Sequence, residues 1–200
     1  MTQTTTPTTY REYVGNVHVH SVYSDGSATH RQIASAAGDA GLDFVVVTDH
    51  NVRPEGVERY YGRTLLLVGE EVHNVRRAPQ ANHLLVYGTE QEITPYSFGG
   101  TRTLVQSVQR RNGVCYIAHP IERSSPIRRG LNAIPWVDWP PDGIRGLEIW
   151  NYMSEFKGLL WAKPIALIYA LKPAWGITGP YRATLRLWDE LLSQGHRLAA

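Results

Sequence analysis

Residues 15–26 read Gly15-Asn16-Val17-His18-Val19-His20-Ser21-Val22-Tyr23-Ser24-Asp25-Gly26. Val17 and Val19 alternate with His18 and His20, the period of a strand that ends in a Ser-Asp-Gly turn. Side chains alternate across a strand, so His18 and His20 share one face. Two imidazoles two residues apart form a chelate for a transition metal, and Asp25 in the turn can add an oxygen ligand.

Working outward, Thr29-His30-Arg31-Gln32 fits a capping box. Ile33, Ala36, Ala37 and Ala40 follow at helical spacing, and Gly41 is placed to end the helix. Phe44–Val47 is a short continuous apolar run, as in a buried parallel strand, and it delivers Thr48-Asp49-His50 at its end. This β-α-β unit places polar residues at strand C-termini, where α/β barrels and open α/β sheets build their sites. Residues 51–63 are expected to form a loop or short helix. Thr64–Val68 reads as a third strand leading into Gly69-Glu70-Glu71-Val72-His73, and His83–Gly88 as a fourth. Thr101–Arg111 reads as an amphipathic helix closed by Asn112-Gly113, and Val114–Ala118 as a fifth strand ending in His119-Pro120. Residues 121–141 are loop-rich. Ile144–Trp150 suggests a sixth strand, followed by helices near Leu159–Leu171 and Thr184–Ser193, and Arg197–Ala200 resembles the start of another strand.

Composition bounds the function. The chain has 200 residues, 42% hydrophobic and 19% charged, enough for one globular domain. Residues 1–12 are expected to be a disordered tail, with Met1–Thr9 Thr-rich and unlike a signal peptide, and residues 13–200 to form the domain. A net charge of +2 and no basic stripe disfavour tight nucleic-acid binding, leaving nucleic acid only as a substrate. The apolar stretch 159–171, interrupted by Lys163 and Pro164, is too short to span a membrane. The single cysteine, Cys115, excludes an internal disulfide and points to a reducing, cytoplasmic setting.

The polar residues at the strand ends are His18, His20, Asp25, His50, Glu71, His83 and His119, five of the eight histidines among them. A single such histidine is commonly structural. Their repetition at successive strand ends points to a multinuclear metal site, because several buried imidazoles without partners are costly. Nitrogen and oxygen ligands without sulfur favour Mn²⁺, Zn²⁺ or Fe²⁺. Seven ligands exceed one ion, and Glu71 can bridge two ions that share a water of lowered pKa.

The ordered set His-Val-His-Ser, Ser-Asp-Gly, Thr-Asp-His, Gly-Glu-Glu, Asn-His-Leu-Leu and Ala-His-Pro resembles the PHP (polymerase and histidinol phosphatase) family, from about Tyr13 onward. The motifs are most similar to its stand-alone phosphoesterases and carbamate-hydrolase-like members. The resemblance implies an α/β fold, a distorted (β/α)₇ TIM-like barrel, with two to three divalent ions and hydrolysis of phosphate esters. It places His18 and His20 on a first metal. Glu71 bridges to a second, held also by His83 and His119, and Asp25 and His50 bind a third. His83 stands at the start of its strand, so that strand runs antiparallel or His83 belongs to the preceding loop.

The family's late Gly-Ser-Asp-x-His segment has no counterpart here; Asp189 and His196 do not match it. The expectation is a chain truncated before its last strand, so that full metal occupancy, a closed barrel and activity depend on a segment this sequence does not contain.

Arg123 is a candidate for binding substrate phosphate, against a solvated loop residue, and His73 a candidate proton donor on the Glu71 face. Arg128 and Arg129 read as a solvated pair. Asp49 either orients an imidazole or caps its loop, His30 reads as a helix-surface residue, and Trp136, Trp139 and Trp150 as substrate wall or core. The leading reading is a metal-dependent phosphoesterase acting on a small-molecule phosphate ester. Its rivals are a carbamate or ester hydrolase on the same metals, a polymerase-associated nuclease, and an inactive or regulatory metal-binding domain. An amidohydrolase bridged by carboxylated lysine is disfavoured, because no lysine precedes Lys157.

Overall fold

The computed structural model describes residues 10–125, 132–160, 162–172 and 175–200. The expectations for Met1–Thr9 and for Arg128 and Arg129 lie outside the described residues.

The first half of the chain builds a four-stranded sheet. Strand β1 (Gly15–Val19) lies parallel to β2 (Phe44–Val47), and β2 parallel to β4 (Thr64–Val68). A short strand, β3 (Arg59–Tyr61), turns back antiparallel on β4 inside the segment expected to be loop or helix. Between β1 and β2 runs α1 (His30–Asp39), started by both halves of the Thr29–Gln32 capping box. It stops as its sequence predicts. Gly41 takes φ +79°, its N–H reaches Gly38 O, and the Leu42 N–H reaches Ala37 O, which satisfies carbonyls left free by the last turn.

The second half builds another four-stranded sheet from β5 (Glu70–Val72), β6 (Leu84–Tyr87), β7 (Val114–Ile117) and β8 (Gly146–Leu147), in that order. Strand β6 is antiparallel to both β5 and β7, while β7 and β8 are parallel. The two sheets join through one parallel bridge between His50 and Glu71. There the Glu71 N–H donates to Asp49 O and the Asn51 N–H to Glu71 O. The architecture is therefore mixed α/β with two linked sheets, and the described strands do not close into the ring expected of a (β/α)₇ barrel. The start of a strand read at Arg197–Ala200 corresponds to a single parallel bridge from Ala199 to Gly146.

Helices cover the outer faces. Ile33, Ala34 and Ala37 of α1 pack on Val45, Val47, Leu66 and Val68. Leu104, Val105 and Val108 of α2 (Gly100–Gln109) and Leu191 of α5 (Arg182–Ser193) pack with Val72, Leu84, Val86, Ile117 and Leu147. With those residues turned outward, the alternate residues, Val46, Leu67 and Leu85 among them, face the space between the sheets.

The expected helix at 159–171 is α4 (Lys163–Leu171), and an unexpected helix, α3 (Tyr152–Leu159), precedes it. Asn151 starts α3 by accepting the Ser154 N–H at 2.8 Å, and of the expected strand 144–150 only β8 is paired. Pro164 falls in the first turn of α4, where its missing N–H costs no helical bond.

Gly69 is the joint between β4 and β5. A Cβ there would stand 2.6 Å from the Val86 carbonyl oxygen. Gly69→Ala is expected to lower stability by about 1–3 kcal/mol, the usual range for overpacking, read from urea unfolding.

Candidate metal centre

Glu71 is 1% exposed, and its carboxylate divides the site in two. Oε1 lies 2.7 Å from His83 Nδ1 and 3.0 Å from His119 Nε2. Oε2 lies 3.0 Å from His18 Nε2, 3.0 Å from His20 Nε2 and 3.3 Å from His50 Nδ1. Asp25 completes the cluster at 3.3 Å from His20 Nδ1 and 3.8 Å from His50 Nε2, with its side chain 70% exposed. All seven strand-end residues are thus brought together.

Secondary structure accounts for each position. His18 and His20 follow strand alternation at the end of β1. His50 and Glu71 are the bridge residues that join the sheets. His83 immediately precedes β6, and because β6 is antiparallel its start lies at the same end as the other strands' ends. His119 follows β7 with φ +28°, a conformation non-glycine residues rarely adopt. Glu70, the other member of the acidic pair, points to the opposite face. It accepts the Ile93 N–H at 2.7 Å and the Thr94 hydroxyl at 2.7 Å, which anchors a 3₁₀ turn over residues 94–99.

Asp49 pins the loop that carries Asp25. Fully buried, it accepts the Ser21 N–H at 2.7 Å, the Ser21 hydroxyl at 2.6 Å and the Ser24 hydroxyl at 2.7 Å. Gly26 lets the turn fold onto His20, since a Cβ there would meet the His20 carbonyl oxygen at 2.1 Å. His30 is buried rather than on the helix surface. Its ring lies 5.2 Å from that of Tyr23, and its Nε2 is 3.9 Å from Asp49.

His73 stacks on His83 with ring centroids 4.2 Å apart and lies 5.1 Å from His50. Burial, and then the neighbouring His83 and His50, push its pKa down to about 4, so at neutral pH it is an uncharged imidazole. Arg123 stands over the Tyr181 ring at 4.5 Å and is not among the residues that line the cavity beside the cluster. Trp136 belongs to the core, Trp139 is partly exposed, and Trp150 lines that cavity.

Sequence reading missed Glu148 and Asn151. Glu148 Oε1 accepts the His18 Nδ1–H at 2.9 Å, and Oε2 accepts the His119 backbone N–H at 2.9 Å. Asn151 Nδ2 donates to Glu148 Oε1 at 3.1 Å and lies 3.3 Å from His18 Nδ1. The only sequence signal was a glutamate three residues before an asparagine at the end of a strand.

Electrostatics follow this arrangement. Burial alone would raise the Glu71 pKa, but His18, His119 and His20 outweigh it and hold the carboxyl well below its usual range. Burial alone would lower His18, yet Glu71 and Glu148 raise it well above an ordinary histidine.

The residues fit divalent ions. His18 Nε2 and His20 Nε2 stand 3.1 Å apart, near the roughly 3.3 Å edge of a tetrahedron with metal–nitrogen bonds of about 2.05 Å. Among the described residues, His50 Nδ1, which faces Glu71, has no hydrogen-bond partner although it is buried. The ligating atoms of His18, His20 and Glu71 lie within 4.8 Å of one another, as do those of Glu71, His83 and His119, and those of His20, Asp25 and His50. His50, His73 and His83 form a further group on the same criterion.

No protein-family profile matches the chain, and no curated protein does. Solved structures do. One is a Bifidobacterium adolescentis protein described provisionally as a metal-dependent phosphoesterase. It is 15% identical, with a TM-score of 0.53 over 93% of this chain and 96% of that one. The chain shares its fold with that protein. Another is a two-domain Bacteroides vulgatus protein containing a predicted PHP-like metal-dependent phosphoesterase, 19% identical with a TM-score of 0.47 over 68% of this chain. This chain spans 44% of that protein's length. Among the described residues, no helix is long and apolar enough to cross a membrane.

Removing the Asp49 carboxylate leaves the buried Ser21 N–H and hydroxyl without an acceptor. Asp49→Ala is expected to lower stability by about 1–3 kcal/mol, measured by urea unfolding of the metal-free protein.

Proposed function

We propose that the chain is a PHP-type metal-dependent hydrolase, and specifically a phosphoesterase. One observation carries this reading: the two oxygens of the buried Glu71 carboxylate face two different sets of imidazoles. A carboxylate so placed is suited to bridge two ions. His18 and His20 would hold the first, His83 and His119 the second, and His50 with Asp25 a third. Divalent ions bound there supply Lewis acidity and a hydroxide nucleophile at neutral pH.

The chain's own residues then have defined tasks. Glu71 keeps the two sets in register. The Asp49 network holds the turn that presents Asp25, which is the ligand most open to solvent. A cavity of about 1850 Å³ adjoins the cluster, with Leu67, Leu85 and Tyr116 among its apolar walls, and it can admit a small ester. Arg123, the sequence candidate for phosphate, is engaged with Tyr181, and His73, stacked on His83 and neutral at pH 7, carries no imidazolium proton to release.

A second reading, hydrolysis of an uncharged carbamate or carboxylic ester, gains from the cations. Among the described residues, Arg53 and Lys157 line the cavity. Lys157 is paired with Glu122 at 2.7 Å, and Arg53 lies 3.6 Å from Glu58. Each thus already has an anionic partner that a phosphate would compete with.

Aryl phosphomonoesters, aryl phosphodiesters and aryl carbamates, assayed side by side, separate the two. The expected outcome is phosphoester turnover that chelation abolishes and Mn²⁺ restores. His18→Ala or Glu71→Ala is expected to reduce it by at least about 100-fold without loss of helical circular dichroism. Preferential carbamate turnover selects the second reading. Undiminished phosphoester turnover in either variant overturns the first.

A further inference from the structure

We propose that Glu148 is a positioning residue that locks His18 and His119, ligands of different ions, into one frame. This rests on the metal-centre reading above. The two histidines come from different sheets: His18 from β1, an edge strand of the first, and His119 from the end of β7 in the second. Among the described residues, no strand pairing joins β1 to β7 or β8.

Glu148 spans that gap with a single carboxylate. Its Oε1 accepts the His18 Nδ1–H at 2.9 Å, so Nε2, which faces Glu71 and His20, is the nitrogen left to bind a metal. Its Oε2 accepts the backbone N–H of His119 at 2.9 Å. That bond holds a residue whose φ of +28° is intrinsically unfavourable, so it needs outside support. Asn151 holds the clamp. Its amide donates to Glu148 Oε1 at 3.1 Å, while its own oxygen caps α3 at the Ser154 N–H. The ligand frame is thereby tied to the start of α3.

His18, His119 and Asn151 all meet Glu148 as donors, so both its oxygens must accept. A glutamine offers one oxygen and one amide. The amide would face either His18 Nδ1, driving its proton to Nε2, or the His119 N–H, where two donors oppose each other.

The test is calorimetric titration of the metal-free 200-residue chain with MnCl₂, for the wild type, Glu148→Gln and Asn151→Ser. The serine keeps a capping oxygen and gives up the amide donor. Glu148→Gln is expected to bind its tightest Mn²⁺ about 10–100-fold more weakly, and Asn151→Ser several-fold more weakly. In ¹⁵N-labelled zinc-loaded wild type, His18 is expected to carry its proton on Nδ1, a signature that a merely structural glutamate would not set.

Equal Mn²⁺ affinity in the wild type and a folded Glu148→Gln overturns the clamp alone. A wild-type His18 protonated on Nε2 does the same without any variant. If Glu148→Gln fails to fold, unchanged affinity in Asn151→Ser overturns it. Absence of metal uptake by the wild type overturns the metal-centre reading, and the clamp with it.

Discussion

A carboxylate that is 1% exposed, surrounded by five imidazoles, is the constraint on which this structure turns. Burying the Glu71 charge is costly unless it is paired, and each of its oxygens is met by ring nitrogens. Its backbone is constrained no less than its side chain. Glu71 is the bridge residue through which the second sheet attaches to the first, beside His50. The seam of the fold and the centre of the ligand cluster are the same residue.

The rest of the architecture serves that seam. Both apolar cores lie on the outer faces of the sheets, against α1 on one side and α2 and α5 on the other. The inner face is thereby released from helix packing and carries the histidine cluster at one end, with Val46, Leu67 and Leu85 among its apolar walls. Buried or part-buried carboxylates then fasten the loops around it. Asp49 holds the turn bearing Asp25, Glu70 holds residues 93 and 94, and Glu148 joins His18 to His119. Glu155 does the same farther out, accepting from Trp150, Thr178 and Gly179. Each satisfies backbone or side-chain donors that an irregular segment would otherwise leave unpaired. The device sets loop geometry with few residues, which suits a cluster whose members come from many separate segments.

On the proposed hydrolytic reading, selectivity resides around the cluster. The cavity-lining cations are paired with carboxylates, and Trp150 and Tyr152 flank Asn151, which itself touches the His18 ring. On that reading these walls suit a small ester with an apolar portion.

Much was legible in the sequence because it is written in local periodicities. Strand alternation placed His18 beside His20 and separated Glu71 from Glu70, and the capping box and Gly41 delimited α1. Repetition of polar residues at strand ends marked the seven members of the cluster. Other features depend on partners distant in sequence. The direction of β6, which explains why His83 precedes its strand, follows from its antiparallel pairing with β5 and β7. The burial of His30 and the stacking of Arg123 on Tyr181 reflect neighbours that no local pattern names. Glu148 meets His18 across 130 residues of chain, and its role exists only because two histidine donors converge on it. Local spacing determines which side chains share a face; tertiary structure alone decides which faces meet, because that choice depends on long-range burial and pairing rather than on backbone period.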